Sequence, residues 1–280
     1  VVPAGDLEDW QTPPFEATLK DGWLIGRGVQ DDKGPSLAAL YAVKSLLDQG
    51  LVFTKRIRFI FGTDEETLWR CMNRYNQLEE KADLGFAPDS SFPLTYAEKG
   101  LLQVKLHGPG WEDRPLQAGR ALNVVPDKAT YKGERLEELL PVIEQSGVKY
   151  TEEAGAVTIL GLSKHSKDAA EGVNAIVGLA ESLSLIQPHP ALLFIADAVG
   201  EDATGAALFG EIKDEPSGAL SFNIATLSID EERSEIGIDI RIPVLADKDA
   251  LVERLTEVAA SYQLQYEEFD YVAPLYVPLD

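Results

Sequence analysis

The sequence predicts an α/β fold, and three observations carry that reading. Residues 26–89 alternate strand-like and helix-like patterns, with glycine-rich or acidic loops between them. Beyond Gly100 the texture changes to two successive series of strands and helices, the pattern of an α+β unit in two related parts. A hydrophobic content of 45% over 280 residues suffices for one large or two ordinary domains.

The elements follow in order. Residues 15–19 and 23–25 flank Lys20-Asp21-Gly22 and predict a hairpin, because Asp-Gly supplies the positive φ of a tight turn. The loop Gly26-Arg27-Gly28-Val29-Gln30-Asp31-Asp32-Lys33-Gly34 comes next. Leu37, Leu40, Tyr41, Leu46 and Leu47 recur at helical spacing, so residues 35–49 read as a helix with Gly50 as its C-terminal glycine. Residues 57–61 read as a buried strand, 68–81 as an amphipathic helix, 84–87 as a second short strand and 94–98 as an edge strand. After the break at Gly108-Pro109-Gly110, strands are expected near 129–132 and 156–162, with helices at 135–145 and 173–184. A helix or strand near 191–198, strands at 218–229 and 235–243 and a helix at 248–262 complete the second series.

Composition excludes several classes of partner. A formal charge of −22 disfavours nucleic acid and anionic membranes. No apolar run reaches the roughly 20 residues a membrane span needs. The one cysteine, Cys71, excludes an internal disulfide and reads as a core thiol. The expectation is a cytoplasmic protein.

Three runs place carboxylates just past apolar segments: Asp31 in the glycine loop, Glu65 and Glu66 in Gly62-Thr63-Asp64-Glu65-Glu66, and Asp89 in Ala87-Pro88-Asp89. Functional groups of α/β sheets gather beyond the carboxyl ends of strands. Like charges brought to one crevice there repel unless cations sit among them, and hard oxygen donors suit zinc, manganese or magnesium. Of two adjacent glutamates, one can bind metal while the other takes a proton from water. The competing reading is a set of solvated acidic turns, common in so acidic a chain.

The ordered combination narrows the choice. Gly-Arg-Gly-x-x-Asp-Asp-Lys-Gly-Pro, then Gly-Thr-Asp-Glu-Glu, then Pro-Asp-x-x-Phe-Pro and Tyr96-Ala97-Glu98-Lys99-Gly100 resemble the dipeptidase V group of the di-zinc aminoacylase/carboxypeptidase superfamily. The resemblance implies a three-layer zinc-peptidase-like catalytic domain over residues 1–99, incomplete here. It also implies an inserted lid of two ferredoxin-like halves over 100–272 and a return into the catalytic domain at 273–280. It implies Asp31 as a carboxylate bridging two zinc ions, Glu65 as general base, and Glu66 and Asp89 as ligands of one zinc each, with manganese and cobalt as alternative metals. A cis bond between Asp31 and Asp32 is implied as well.

Three lid residues follow from the same resemblance. Gly161-Leu162-Ser163-Lys164-His165, leading to Gly172-Val173-Asn174-Ala175, resembles the segment whose histidine stabilises the oxyanion, although Ala169-Ala170 stands where proline is usual. Arg241 in Asp239-Ile240-Arg241-Ile242-Pro243 corresponds to an arginine that grips the substrate carboxylate, and Asn123 to a substrate-binding asparagine. Without the resemblance these are a loop histidine, a strand arginine and a turn residue. His107 and His189 read as structural or loop histidines.

The implied activity is hydrolysis of dipeptides by a monomer. N-acyl amino-acid amidohydrolysis and non-catalytic peptide binding are the alternatives. Val1-Val2-Pro3-Ala4-Gly5-Asp6 resembles the tail of a family motif whose histidine and aspartate would precede it. An internal piece of a longer enzyme is therefore expected, binding zinc poorly and lacking dipeptidase activity on its own.

Overall fold

The computed structural model describes residues 4, 7–65, 69–90, 92–112 and 115–279. They form two compact units, Val1–Thr95 and Tyr96–Asp280.

In the first unit, β1 (Thr18–Lys20) and β2 (Trp23–Ile25) make the expected antiparallel hairpin. Its turn is built from Asp21 at φ 52° and Gly22 at φ 83°, the left-handed pair such a turn needs. A π turn at Val29–Lys33 leads into α1 (Gly34–Asp48), which has Pro35 in its first turn. A shorter helix, α2 (Arg70–Leu78), carries half-exposed Cys71.

Two expectations fail here. Residues 57–61 and 84–87 are not strands. A strand exists only through hydrogen bonds to a neighbour, and among the described residues neither run has one. Ile57, Phe59, Ile60 and Phe61 accordingly stay exposed. Leu37, Leu40, Tyr41, Leu46 and Leu47 of α1 are exposed too, so its helical spacing does not translate into burial within this unit.

The second unit holds the core. Its strands are β3 (Ala97–Glu98), β4 (Gly100–Pro109), β5 (Leu116–Ala118), β6 (Lys128–Tyr131), β7 (Tyr150–Glu153), β8 (Ala156–Leu160), β9 (Lys213–Asp214), β10 (Gly218–Ala219), β11 (Ser221–Ile229), β12 (Arg233–Ile242), β13 (Gln265–Val272) and β14 (Leu275–Tyr276). Its helices are α3 (Leu136–Ser146), α4 (Ala175–Ile186), α5 (Pro190–Leu193), α6 (Ala206–Phe209) and α7 (Lys248–Ser261). The main sheet is antiparallel in the order β13-β4-β12-β11-β5, and a smaller one runs β6-β8-β7.

Strict alternation explains the main sheet. On β12, Ile236, Ile238, Ile240 and Ile242 point to one face, joined by Leu102, Val104 and Leu106 of β4 and by Phe222 and Ile224 of β11. Helices α4, α5 and α7 pack against strands of this sheet. Glu235, Asp239 and Arg241 take the opposite face, as period two requires. A bulge at Ala225 re-registers β11. Gly119, at φ 77°, lies against it so closely that a Cβ would sit 2.0 Å from the Ala225 carbonyl oxygen.

The apolar run at 191–198 resolves as helix, α5 continuing into a π turn at Phe194–Val199. His189 is not a loop bystander. It is 4% exposed and caps α5, its Nδ1 accepting from Ala191 N–H at 3.2 Å while Nε2 donates to the Pro109 carbonyl at 3.2 Å. Burial holds its pKa below the ordinary value. The unfolded chain therefore takes up a proton near about pH 6.5 that the folded one refuses. The stability this contributes is full above that pH and is lost as pH falls toward the depressed folded value. Urea denaturation should show the wild type weakening between pH 7.5 and 5.5, with a shallower slope in His189→Asn. Parallel slopes would assign the effect elsewhere.

Candidate functional site

The polar face of the main sheet carries a connected cluster. Register alone sets Gln103, Asp239 and Asn223 side by side on β4, β12 and β11, and Ser221 beside Arg241. A 3₁₀ turn at Ser166–Glu171 packs against β11 and β12. Asn223 donates to Ser166 Oγ at 2.9 Å and to the Val124 carbonyl at 3.0 Å, and Ser166 Oγ donates to the Leu122 carbonyl at 3.0 Å. Ser166 N–H donates to the Asn123 carbonyl at 2.9 Å, and Val124 bridges His165. The segments bearing Asn123, His165 and Arg241, far apart in sequence, are thus tied to one end of one sheet.

Asn174 anchors this arrangement from α4. Its Oδ1 accepts from Ile176 and Val177 N–H at 3.0 and 3.3 Å, while its Nδ2 donates to Asn223 Oδ1 at 3.1 Å and to the Ile224 carbonyl at 2.7 Å.

His165 Nδ1 accepts from Lys167 N–H at 3.2 Å, which leaves the proton of the neutral ring on Nε2. Partial burial, then the positive charges of Arg241 and Lys167, hold its pKa below the ordinary value, so at neutral pH it is a neutral donor. Arg241 Nε and Nη2 donate to Asp239 at 2.8 and 3.3 Å, and Asp239 is fully buried. The Asn123 side chain is exposed.

The carboxylates of the first unit lie in its loops. Asp31 is exposed, and the Asp31–Asp32 peptide is cis, as the resemblance implied. Asp32 Oδ2 accepts from Ser36 Oγ at 3.0 Å, whereas Oδ1 is buried without a partner among the described residues. Asp64, the neighbour of Glu65, accepts from Arg70 Nε at 2.7 Å and Nη2 at 3.0 Å. Asp89 follows the 84–87 run, which forms no strand. Glu66 lies outside the described residues.

Convergence of these carboxylates was expected, but among the described residues no three metal-capable side chains come together. Asp31, Glu65 and Asp89 supply oxygen donors of the right chemistry, and Glu66 completes the predicted set from outside the described residues.

Sequence reasoning missed Asp239, Gln103, Ser166 and Asn223. The signal for Asp239 was available: a carboxylate at i−2 of an arginine on a strand shares its face.

The model of "Peptidase family M20/M25/M40" matches residues 1–275. The chain is 36% identical to "Putative dipeptidase YtjP" of Bacillus subtilis strain 168, covering 100% of this chain and 64% of that protein. It is 33% identical to "Putative dipeptidase MW1694" of Staphylococcus aureus strain MW2, covering 99% and 64%. It thus spans less than two thirds of the length of these relatives. Human carnosine dipeptidase 1 superposes with a TM-score of 0.47 at 15% identity, over 100% of this chain and 62% of that one. No helix of the described residues is long and apolar enough to cross a membrane.

Proposed function

Because the chain belongs to peptidase family M20/M25/M40, whose members are metal-dependent peptidases, we propose that the protein hydrolyses dipeptides. One observation carries this reading beyond family membership: a neutral histidine donor and an arginine stand at one end of one sheet, within electrostatic reach of each other. A dipeptide offers two matching acceptors, a scissile carbonyl that becomes an oxyanion and a C-terminal carboxylate a few bonds away.

The roles follow from chemistry. Glu65, exposed on its turn, takes a proton from the attacking water and returns it to the leaving amine. His165 Nε2–H donates to the developing oxyanion, a task for which the neutral ring is ready without a change of protonation. Arg241 takes the substrate carboxylate through two parallel N–H bonds. Asn123 contributes an amide to substrate binding. Asp31, Glu66 and Asp89 are the carboxylates assigned to metal, with zinc preferred. Residues 100–272 act as the lid, in a monomer.

The test compares hydrolysis of alanyl dipeptides with that of N-acetyl amino acids by the full-length protein supplied with zinc. Turnover of the dipeptides alone supports the proposal. Preferential release of acetate would favour an N-acyl amidohydrolase instead, and turnover of neither substrate would leave peptide binding without catalysis.

A further inference from the structure

Arg241 does not stand alone on its strand. Asp239, two residues earlier on β12, is 0% exposed. It receives Arg241 Nε on Oδ1 at 2.8 Å and Arg241 Nη2 on Oδ2 at 3.3 Å. Across the sheet, Gln103 Nε2 on β4 donates to the same Oδ2 at 3.1 Å. A buried carboxylate is costly unless paired and hydrogen-bonded, and Asp239 meets both conditions through these two side chains.

The consequence lies in which edge of the guanidinium is used. Asp239 takes the Nε and Nη2 edge. Nη1 has no hydrogen-bond partner among the described residues, and the side chain keeps 19% of its surface exposed. A guanidinium is planar with five donors, so fixing one edge fixes the plane and the direction of the other. The remaining edge, Nη1 with the second hydrogen of Nη2, matches a carboxylate in the bidentate manner. An arginine on its long flexible stem would otherwise sample many directions at an entropic cost to every ligand it bound.

We propose that Asp239, itself held by Gln103, is a positioning residue that orients Arg241, and that this pair confers selectivity for substrates with a free C-terminal carboxylate over those whose terminus is blocked. The inference rests on the reading of Arg241 as the carboxylate-binding group. It adds the residue that makes that recognition selective.

The experiment titrates the full-length protein, with chelator present to prevent turnover, with an alanyl dipeptide and with its C-terminal amide, following binding by NMR. The variants are Arg241→Ala, Asp239→Asn and Gln103→Leu. In the wild type the free acid should bind at least about tenfold more tightly than the amide. Asp239→Asn should lose most of that ratio by weakening the acid alone, and Gln103→Leu should lose about two- to threefold of it. A merely structural role would weaken both ligands equally and leave the ratio standing. Should Asp239→Asn fail to fold, Gln103→Leu decides, and an unchanged ratio there overturns the proposal. If the wild type discriminates, Arg241→Ala abolishes discrimination and folded Asp239→Asn retains it, the proposal fails while the carboxylate reading stands. If the wild type binds acid and amide alike, the carboxylate reading fails and takes the proposal with it.

Discussion

Replacing Glu65 by glutamine is expected to lower turnover of alanyl dipeptides by the full-length protein by about 10²–10⁴-fold, the usual contribution of a positioned general base. Glutamine keeps the length of the side chain and its ability to accept a hydrogen bond, but it cannot take a proton at neutral pH. The loss should therefore appear in kcat, with KM close to the wild-type value, because substrate contacts are assigned to Arg241 and Asn123 instead. Asp64→Asn is a useful companion. It weakens the ion pair between Arg70 and Asp64, the residue next to Glu65, and should reduce kcat by less than Glu65→Gln does. A Glu65→Gln enzyme with nearly full kcat would remove Glu65 from the chemistry and require another base.

Asn174→Ala should cost the second unit roughly 2–4 kcal/mol. This sums the loss of a helix cap, about 1 kcal/mol, and the orphaning of a buried acceptor, about 1–3 kcal/mol. Both effects come from one amide. Its oxygen caps α4, and its nitrogen satisfies Asn223 Oδ1, which belongs to a side chain only 2% exposed. Asn174→Ser retains a capping oxygen and should recover about 1 kcal/mol of the deficit. Urea denaturation measures both variants. A loss below about 0.5 kcal/mol in the alanine variant, the range of ordinary surface changes, would mean that the network through Asn223 and Ser166 does not anchor this end of the sheet.

The sequence by itself determined several local elements of the second unit, among them β6, β11, β12, α3, α4 and α7, but not β7 or β13. Period-two patterns such as Ile236-Gly237-Ile238-Asp239-Ile240-Arg241 place apolar groups on one face and polar groups on the other whatever the strand's partners are. The Asp21-Gly22 hairpin was legible for an equally local reason, since few residue pairs accept its backbone angles. The peptidase character of the family was legible in the ordered acidic motifs, and the match of the peptidase family M20/M25/M40 model over residues 1–275 agrees with that coarser reading.

The sequence did not reveal whether an apolar run finds a partner. Residues 57–61 have strand composition without strand pairing, because pairing depends on a neighbour that composition does not specify. The same limit applies to the carboxylates that follow such runs, whose spacing along the chain says nothing of their separation in space.

Only the tertiary structure decided the company His165, Asn123 and Arg241 keep. The register of β12 against β4 and β11 set Gln103 and Asn223 beside Asp239, and the turn at Ser166 closed over them. It also made His189 a buried helix cap instead of a loop residue. The bonds from Asn223 to Ser166, from Asn174 to Asn223 and from His189 to the Pro109 carbonyl each join residues dozens of positions apart. Their geometry exists only once the sheet has formed.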